Sequence, residues 1–269
     1  VGTLSVADGT TTLDGGRYET TDESVVAITN GARLVLGNGA ILTAPGGVIP
    51  GSEIGINLAQ QGEGVLQVED GAAVTNQIVV GNGTKGSLAV GAVYLRGGSM
   101  NPCAAVNDNR CNTIFRKFAH TYYGISGGEL SFNDNVHLGD ADGYANGVIT
   151  QTGGLVLHRR GKGSFRYAQG YYVNADWYLC GGSFCAESGI NLGDWGSYHN
   201  YMAVITVDGD ATYSVTGTVQ AAYRNGLAQR KNIRGLININ GSGVFAAGSI
   251  NRNDYSYPDP GLRADDKIY

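Results

Sequence analysis

An internal repeat constrains this chain more than any other feature of its sequence. Residues 123 to 140 read YGISGGELSFNDNVHLGD and residues 177 to 194 read WYLCGGSFCAESGINLGD, and the two align without a gap at an offset of 54 residues. Gly127 and Gly128 fall on Gly181 and Gly182, Val136 falls on Ile190, and Leu138-Gly139-Asp140 falls on Leu192-Gly193-Asp194. Tyr144 and Asn146 then fall on Tyr198 and Asn200. The match continues with a two-residue shift, Val148-Ile149-Thr150-Gln151-Thr152-Gly153 against Val204-Ile205-Thr206-Val207-Asp208-Gly209, and FRKFAHTYY from Phe115 is similar to FRYAQGYY from Phe165. Looser copies flank the pair, Ile78-Val79-Val80-Gly81-Asn82-Gly83 before it and Gly235-Leu236-Ile237-Asn238-Ile239-Asn240-Gly241 after it.

Each unit consists of short alternating apolar runs separated by Gly, Asn-Gly or Asp-Gly. Leu66-Gln67-Val68, Leu155-Val156-Leu157 and Ala203-Val204-Ile205-Thr206-Val207 have the length and β-branched content of strands. No segment keeps a 3.6-residue apolar period long enough for a helix. Corners between strands often need positive φ, which Gly and Asn adopt at least cost. A single coil of such strands cannot bury its inward face, so successive coils must stack at about 4.8 Å and share one core. The expected fold is therefore all-β, a parallel β-helix (β-solenoid) built from irregular tandem repeats.

If the 54-residue unit is two coils of roughly 27, the chain holds about ten coils in a rod about 45 to 50 Å long. Residues 1–250 form the solenoid in this reading and 251–269, which carry Pro258 and Pro260, form a cap or linker. A β-propeller would repeat at an even blade length over the whole chain. Here the spacing contracts to about 29 between Gly193 and the Ala222 region, which suits a solenoid with variable loops.

The phrasing SGGELSFNDNVHLGDADGYANGVITQTGGLVL resembles the β-strand repeats of autotransporter passenger domains and related bacterial surface proteins, over about residues 60 to 250. The resemblance implies a right-handed parallel β-helix on a bacterial surface, serving as an adhesin, a stalk or a matrix component. The cysteine pairs described below depart from its pattern.

Composition excludes several classes. Forty-four glycines with five prolines and no three-residue period rule out collagen, and 42% hydrophobic residues rule out simple disorder. The net charge is −5 and the basic residues are scattered, apart from Arg159-Arg160-Gly161-Lys162 and Arg230-Lys231 with Arg234. Without a basic stripe, nucleic acid is not an expected partner. No run has the length of a transmembrane helix. The first residues show no signal peptide, so an exported mature chain or a fragment of one is expected, outside the cell or on a bacterial surface. Cys103 with Cys111, and Cys180 with Cys185, read as two local disulfides pinning loops in an oxidising compartment, the alternative being four reduced thiols. Neither spacing is that of a zinc knuckle.

Parallel β-helices also carry polysaccharide lyases and glycoside hydrolases. A hydrolase needs two carboxylates flanking a cleft. Asp134, Asp140, Asp142 and Asp194 are available, but Asp140 and Asp194 are repeat equivalents beside Gly and read as turn residues. Asp140-Ala141-Asp142-Gly143 and Asp208-Gly209-Asp210 offer oxygens of the kind calcium takes, without the spacing of a known calcium loop, so no cofactor is expected, calcium being the alternative. His120, His137, His158 and His199 show no metal-binding spacing and read as surface or turn residues.

The aromatic residues of the middle third carry more functional weight. Tyr122, Tyr178 and others could form a recognition surface, since Tyr and Trp offer rigid area with a polar handle. Tyr123 and Trp177, aligned in the repeat, read instead as an aromatic ladder inside the coils. For Trp195, Tyr198 and Tyr201, which follow Leu-Gly-Asp, both readings stay open, and these three are carried as the ligand-binding candidates. The first expectation is a non-enzymatic structural or adhesive solenoid, with self-association into a homo-oligomer or filament and host or matrix glycans or proteins as partners. The second is a carbohydrate-active enzyme on an acidic polysaccharide, and the third is a glycan-binding module without catalysis.

Overall fold

In a computed structural model of the chain, the structure describes residues 4–20, 25–43, 55–58, 62–75, 78–80, 89–101, 113–115, 119–132, 136–138, 144–159, 165–169, 172–194, 201–221, 233–252 and 267–268. All regular elements among them are strands, and every strand pairing is parallel. The chain winds through three sheets in turn. The first five coils each use three separate strands: β1 (Leu4–Val6), β2 (Thr10–Asp14) and β3 (Arg17–Glu19); β4 (Val25–Ile28), β5 (Ala32–Gly37) and β6 (Ile41–Thr43); β7 (Gly55–Leu58), β8 (Gly62–Val68) and β9 (Ala73–Thr75); β10 (Ile78–Val80), β11 (Ala89–Leu95) and β12 (Ser99–Asn101); β13 (Thr113–Phe115), β14 (Ala119–Ile125) and β15 (Glu129–Phe132). Later coils comprise β16 (Val136–Leu138), β17 (Tyr144–His158), β18 (Phe165–Gln169), β19 (Tyr172–Ala186), β20 (Ile190–Asp194), β21 (Tyr201–Val207), β22 (Thr212–Ala221), β23 (Ile233–Ile239), β24 (Val244–Arg252) and β25 (Lys267–Ile268). There β17, β19, β22 and β24 bend through a corner, so each serves two sheets.

The second sheet has as many strands among the described residues as the first. It stacks β2, β5, β8, β11, β14, the first arms of β17 and β19, then β21, β23 and β25. Its register explains the repeat. Tyr123 pairs with Ile149, 26 residues on, and Ile149 pairs with Trp177, 28 further, so the 54-residue unit is two coils. Leu192 pairs with Ala221, 29 residues on, so the apparent contraction in spacing is one coil rather than two. β24 runs past residue 250 to Arg252, and Lys267–Ile268 add a rung beside β23.

Alternation along each strand sends every second side chain inward, and parallel register stacks those side chains into columns. In the second sheet one column runs Leu34, Leu66, Val93, Tyr123, Ile149, Trp177, Ile205 and Ile237, all almost wholly buried. Tyr123 and Trp177 are thus interior, as expected, but Ile149 lies between them and they do not stack. A true aromatic ladder stands in the third sheet instead. Phe184 lies over Tyr213 with centroids 4.2 Å apart and planes 19° apart, and Tyr213 lies over Phe245 at 5.2 Å and 13°. Trp177 meets Phe184 edge to face at 4.9 Å, and Phe165 meets Phe184 at 5.4 Å. One buried amide interrupts the columns. Gln151 sits between Ile125 and Leu179, and its Nε2 donates to the Ser183 carbonyl at 2.9 Å, tying the second sheet to the third across a corner.

That corner takes two forms. Some coils turn through a longer loop such as Asp208-Gly209-Asp210, where the Asp208 carboxylate accepts from the Gly209 N–H at 2.7 Å. Four consecutive coils turn on Gly-Gly instead, and Gly98, Gly128, Gly154 and Gly182 stack there with φ between +66° and +74°. At Gly128 a Cβ would lie 2.7 Å from the Gly97 carbonyl carbon, and at Gly182 a Cβ would lie 2.6 Å from that of Gly153, with the carbonyl oxygens of Gly98 and Gly154 closer still. Backbone stacked on backbone leaves no room for a methyl, which is why both glycines recur in the repeat.

The same corner corrects one expectation. Cys180 and Cys185 do not form a bridge in the structure; both are free thiols. Cys180 precedes Gly181-Gly182, and its Sγ donates to the Gln151 carbonyl at 3.6 Å. Beyond the corner the chain runs extended along the third sheet, where Cys185 pairs with Leu157 and Ser214. The two thiols are carried onto different sheets rather than brought together in a closed loop. Cys103 and Cys111 lie outside the described residues.

Candidate functional site

The interior alternation leaves the other half of each strand facing outward, and the outer face of the second sheet is distinctive. Among the described residues, the large hydrophobic side chains left exposed lie either on this face or toward the last rungs. Val90, Val148, Tyr178 and Met202, each between 39 and 41% exposed, are on the face, whereas Ile239, Val244 and Ile250 are at the end. Scattered apolar residues are ordinary on a surface, but concentration on one side of a rod is not.

Register sets the face out in three columns. One runs Val65, Ala92, Tyr122, Val148, Asp176, Val204 and Leu236. Beside it runs Tyr94, Gly124, Thr150, Tyr178 and Thr206, and on the other side His120, Asn146, Asn174 and Met202. Gly124 is small for a reason visible across the rungs. A Cβ there would meet the rings of Tyr122 and Tyr94, each at 3.0 Å, so both rings border the vacant position and lie with centroids 5.7 Å apart. The guanidinium of Arg96 sits 5.9 Å from the Tyr94 centroid and pairs with Glu69 at 3.6 Å.

Polar groups are joined across rungs. Asn174 Nδ2 donates to Asn146 Oδ1 at 2.9 Å, and Asn146 Nδ2 lies 3.4 Å from His120 Nδ1. Tyr178 donates its hydroxyl to Asp208 Oδ2 at 3.0 Å, and that carboxylate raises the phenol above its ordinary pKa. Asp176 is different. Val148 and Val204 stand on the rungs either side of it, its Oδ1 is buried, and no hydrogen-bond partner for that oxygen occurs among the described residues. Burial pushes its carboxyl above the usual carboxylate range.

A carboxyl whose pKa is higher in the folded state than in the unfolded chain holds more protons when folded, so its contribution to stability falls as pH rises between the two values and stays lost above them. Asp176→Asn is therefore expected to stabilise the fold at about pH 7, with the gain over wild type shrinking toward about pH 3. Urea melts at both pH values test this, and an equal or destabilising effect at neutral pH would contradict the environment described for Asp176.

The residues singled out from sequence are unevenly placed. Tyr201 opens β21, where its backbone pairs with Ile233 at the margin of this sheet, while Trp195 and Tyr198 lie outside the described residues, as do Asp134, Asp140, Asp142 and His199. Asp194 ends β20 opposite Gln169 and is a strand residue rather than a turn residue. His120 is exposed on the face, but His158 is wholly buried, contrary to the surface role expected of it. Its ring packs 5.5 Å from Phe165, and its Nδ1 lies 3.1 Å from Ser188 Oγ. Asp176 and Tyr94 carried no motif and were missed. Their signal is alternation: both occupy outward positions of strands whose inward residues are plainly apolar.

Among the described residues no cluster of three His, Cys, Asp or Glu side chains is placed to hold a metal ion. Among the same residues no helix is long and apolar enough to cross a membrane. Comparison with family models, with curated proteins and with solved structures found no match.

Proposed function

We propose that the chain is an extracellular structural or adhesive β-solenoid of a bacterial surface, a stiff rod that presents the outer face of its second sheet to a partner. The observation that carries this reading is the gathering of Tyr94, Tyr122, Val148, Tyr178 and Met202 on one outward face, on rungs held by a continuous core and by corners with no slack. Tyrosines on a rigid support lose little freedom on binding, which is what a contact surface needs. Tyr178 donates its hydroxyl to Asp208, which follows the neighbouring strand, so its ring is held in place.

The test is adhesion. Beads coated with the protein should be retained by cell-surface or matrix material. Replacement of Tyr94, Tyr122 and Tyr178 by Ala should abolish retention while the melting temperature stays within a few degrees of wild type, since outward substitutions leave the core intact. Retention unchanged in the triple variant would overturn the reading. Electron microscopy of the purified chain then separates two modes of action: filaments mean that copies stack on one another, and dispersed rods mean a contact module that works alone.

A further inference from the structure

We propose that the outer face of the second sheet, from Tyr94 to Val204, binds an extended chain of neutral sugar residues laid along the solenoid axis. The inference rests on the reading of that face as the contact surface and names its ligand.

Three features point to this chemistry. Tyr94 and Tyr122 flank the empty position of Gly124 and offer paired ring surface, the kind of platform on which the C–H face of a sugar packs. Two rungs away in the same column as Tyr122, Asp176 holds a buried carboxylate oxygen with no donor among the described residues. That oxygen is covered where it stands, so a sugar hydroxyl reaches it only when the carboxyl turns outward from between Val148 and Val204, and an oxygen with no donor among the described residues gives up no hydrogen bond in turning. Between and beside them, the amides of Asn146 and Asn174 are already oriented by their mutual hydrogen bond.

Geometry selects an extended polymer. The face repeats its positions at each rung, about 4.8 Å apart, so the four steps from Tyr94 to Val204 span about 19 Å, the reach of a short run of linked sugars. Charge selects a neutral one. The outward positions of β14, β17, β19 and β21 on this sheet hold Asp176 but no Lys or Arg, and Arg96 beside Tyr94 is already paired with Glu69, so an acidic polysaccharide would meet a carboxylate with no unpaired cation on these strands to compensate. A peptide bound as an added strand would need an open sheet edge, and this is the face of a sheet whose backbone groups are paired on both sides.

Titration calorimetry of the purified chain with cellohexaose, xylohexaose, mannohexaose and laminarihexaose, and with polygalacturonate as the acidic comparison, tests the proposal. At least one neutral hexaose should bind at micromolar to millimolar concentration, and Tyr122→Ala and Asp176→Ala should each weaken it at least about tenfold. Tyr122→Phe, which keeps the ring, and Thr216→Ala, on an exposed corner elsewhere, should bind as wild type does. Matched circular dichroism spectra and melting temperatures exclude misfolding as the cause. Tighter binding of polygalacturonate, unchanged binding in the Tyr122→Ala, Asp176→Ala double variant, or no heat with any neutral hexaose at millimolar concentration would each overturn it. If the hexaoses fail while bead retention still depends on the three tyrosines, the contact face stands and the sugar does not. If both fail, the contact face falls too.

Discussion

Gly182→Ala is expected to destabilise the protein by roughly 2 to 5 kcal/mol, enough at the upper end to unfold a marginal chain. Two costs combine. The residue sits at φ +74°, where an L side chain costs about 1 to 2 kcal/mol. The new methyl would also press on the backbone of the preceding coil, with the Gly153 carbonyl carbon at 2.6 Å and the Gly154 oxygen nearer, and overpacking of that kind typically costs about 1 to 3 kcal/mol. Backbone cannot rotate aside as a side chain can, so the rungs must part. Gly9→Ala provides the internal control, since Gly9 has φ +61° but nothing within 4 Å of its added Cβ. It should cost only the conformational part, about 1 to 2 kcal/mol. Denaturant titration of the two variants separates the contributions, and equal losses would show that the corner is not the tight stack described.

Phe184→Ala is expected to cost about 3 to 5 kcal/mol, as deletion of a fully buried ring does when its surroundings cannot collapse. The ring touches Tyr213 at 4.2 Å, Trp177 at 4.9 Å and Phe165 at 5.4 Å, contributed by all three sheets and by neighbouring coils. Strand spacing in all three sheets is fixed by backbone hydrogen bonds, so the void cannot close by sliding one rung toward another. Phe184→Leu should recover more than half of the loss. Thermal melts check both, and a loss below about 1 kcal/mol for the alanine variant would mean the ladder is not packed as described.

The solenoid was legible because its two requirements are written locally. Apolar alternation at period two marks the strands, and Gly-Gly marks a corner that no other residue fits. The coil length was harder to see for a physical reason. Tyr123 and Trp177 fill the same inward column, and a coil with Ile149 lies between them, so large and small residues alternate and the match is strongest at two coils rather than one. Register, not composition, decided the rest. His158 reads as an isolated polar residue until its pairing with Phe132 and Ala186 turns it into the core. Asp176 reads as a soluble carboxylate in Asn174-Ala175-Asp176-Trp177 until the flanking rungs place a valine on each side of it. The thiols read as a local pair because sequence distance was taken for spatial distance, whereas a corner followed by an extended arm separates them.

The central claim is that rungs more than twenty residues apart in sequence are neighbours in space, in one fixed order. Pulsed electron resonance on spin labels, in a background with the four cysteines replaced by serine, measures that order directly. With one label at Thr206 and the other at Tyr94, Val35 or Thr12, all in one outward column, the distances should be about 19, 29 and 34 Å, rising by about 4.8 Å per rung. Narrow distributions at those values are the predicted result. Distances that do not increase in that order, or that scale with sequence separation, would contradict the stacked fold and everything built on its outer face.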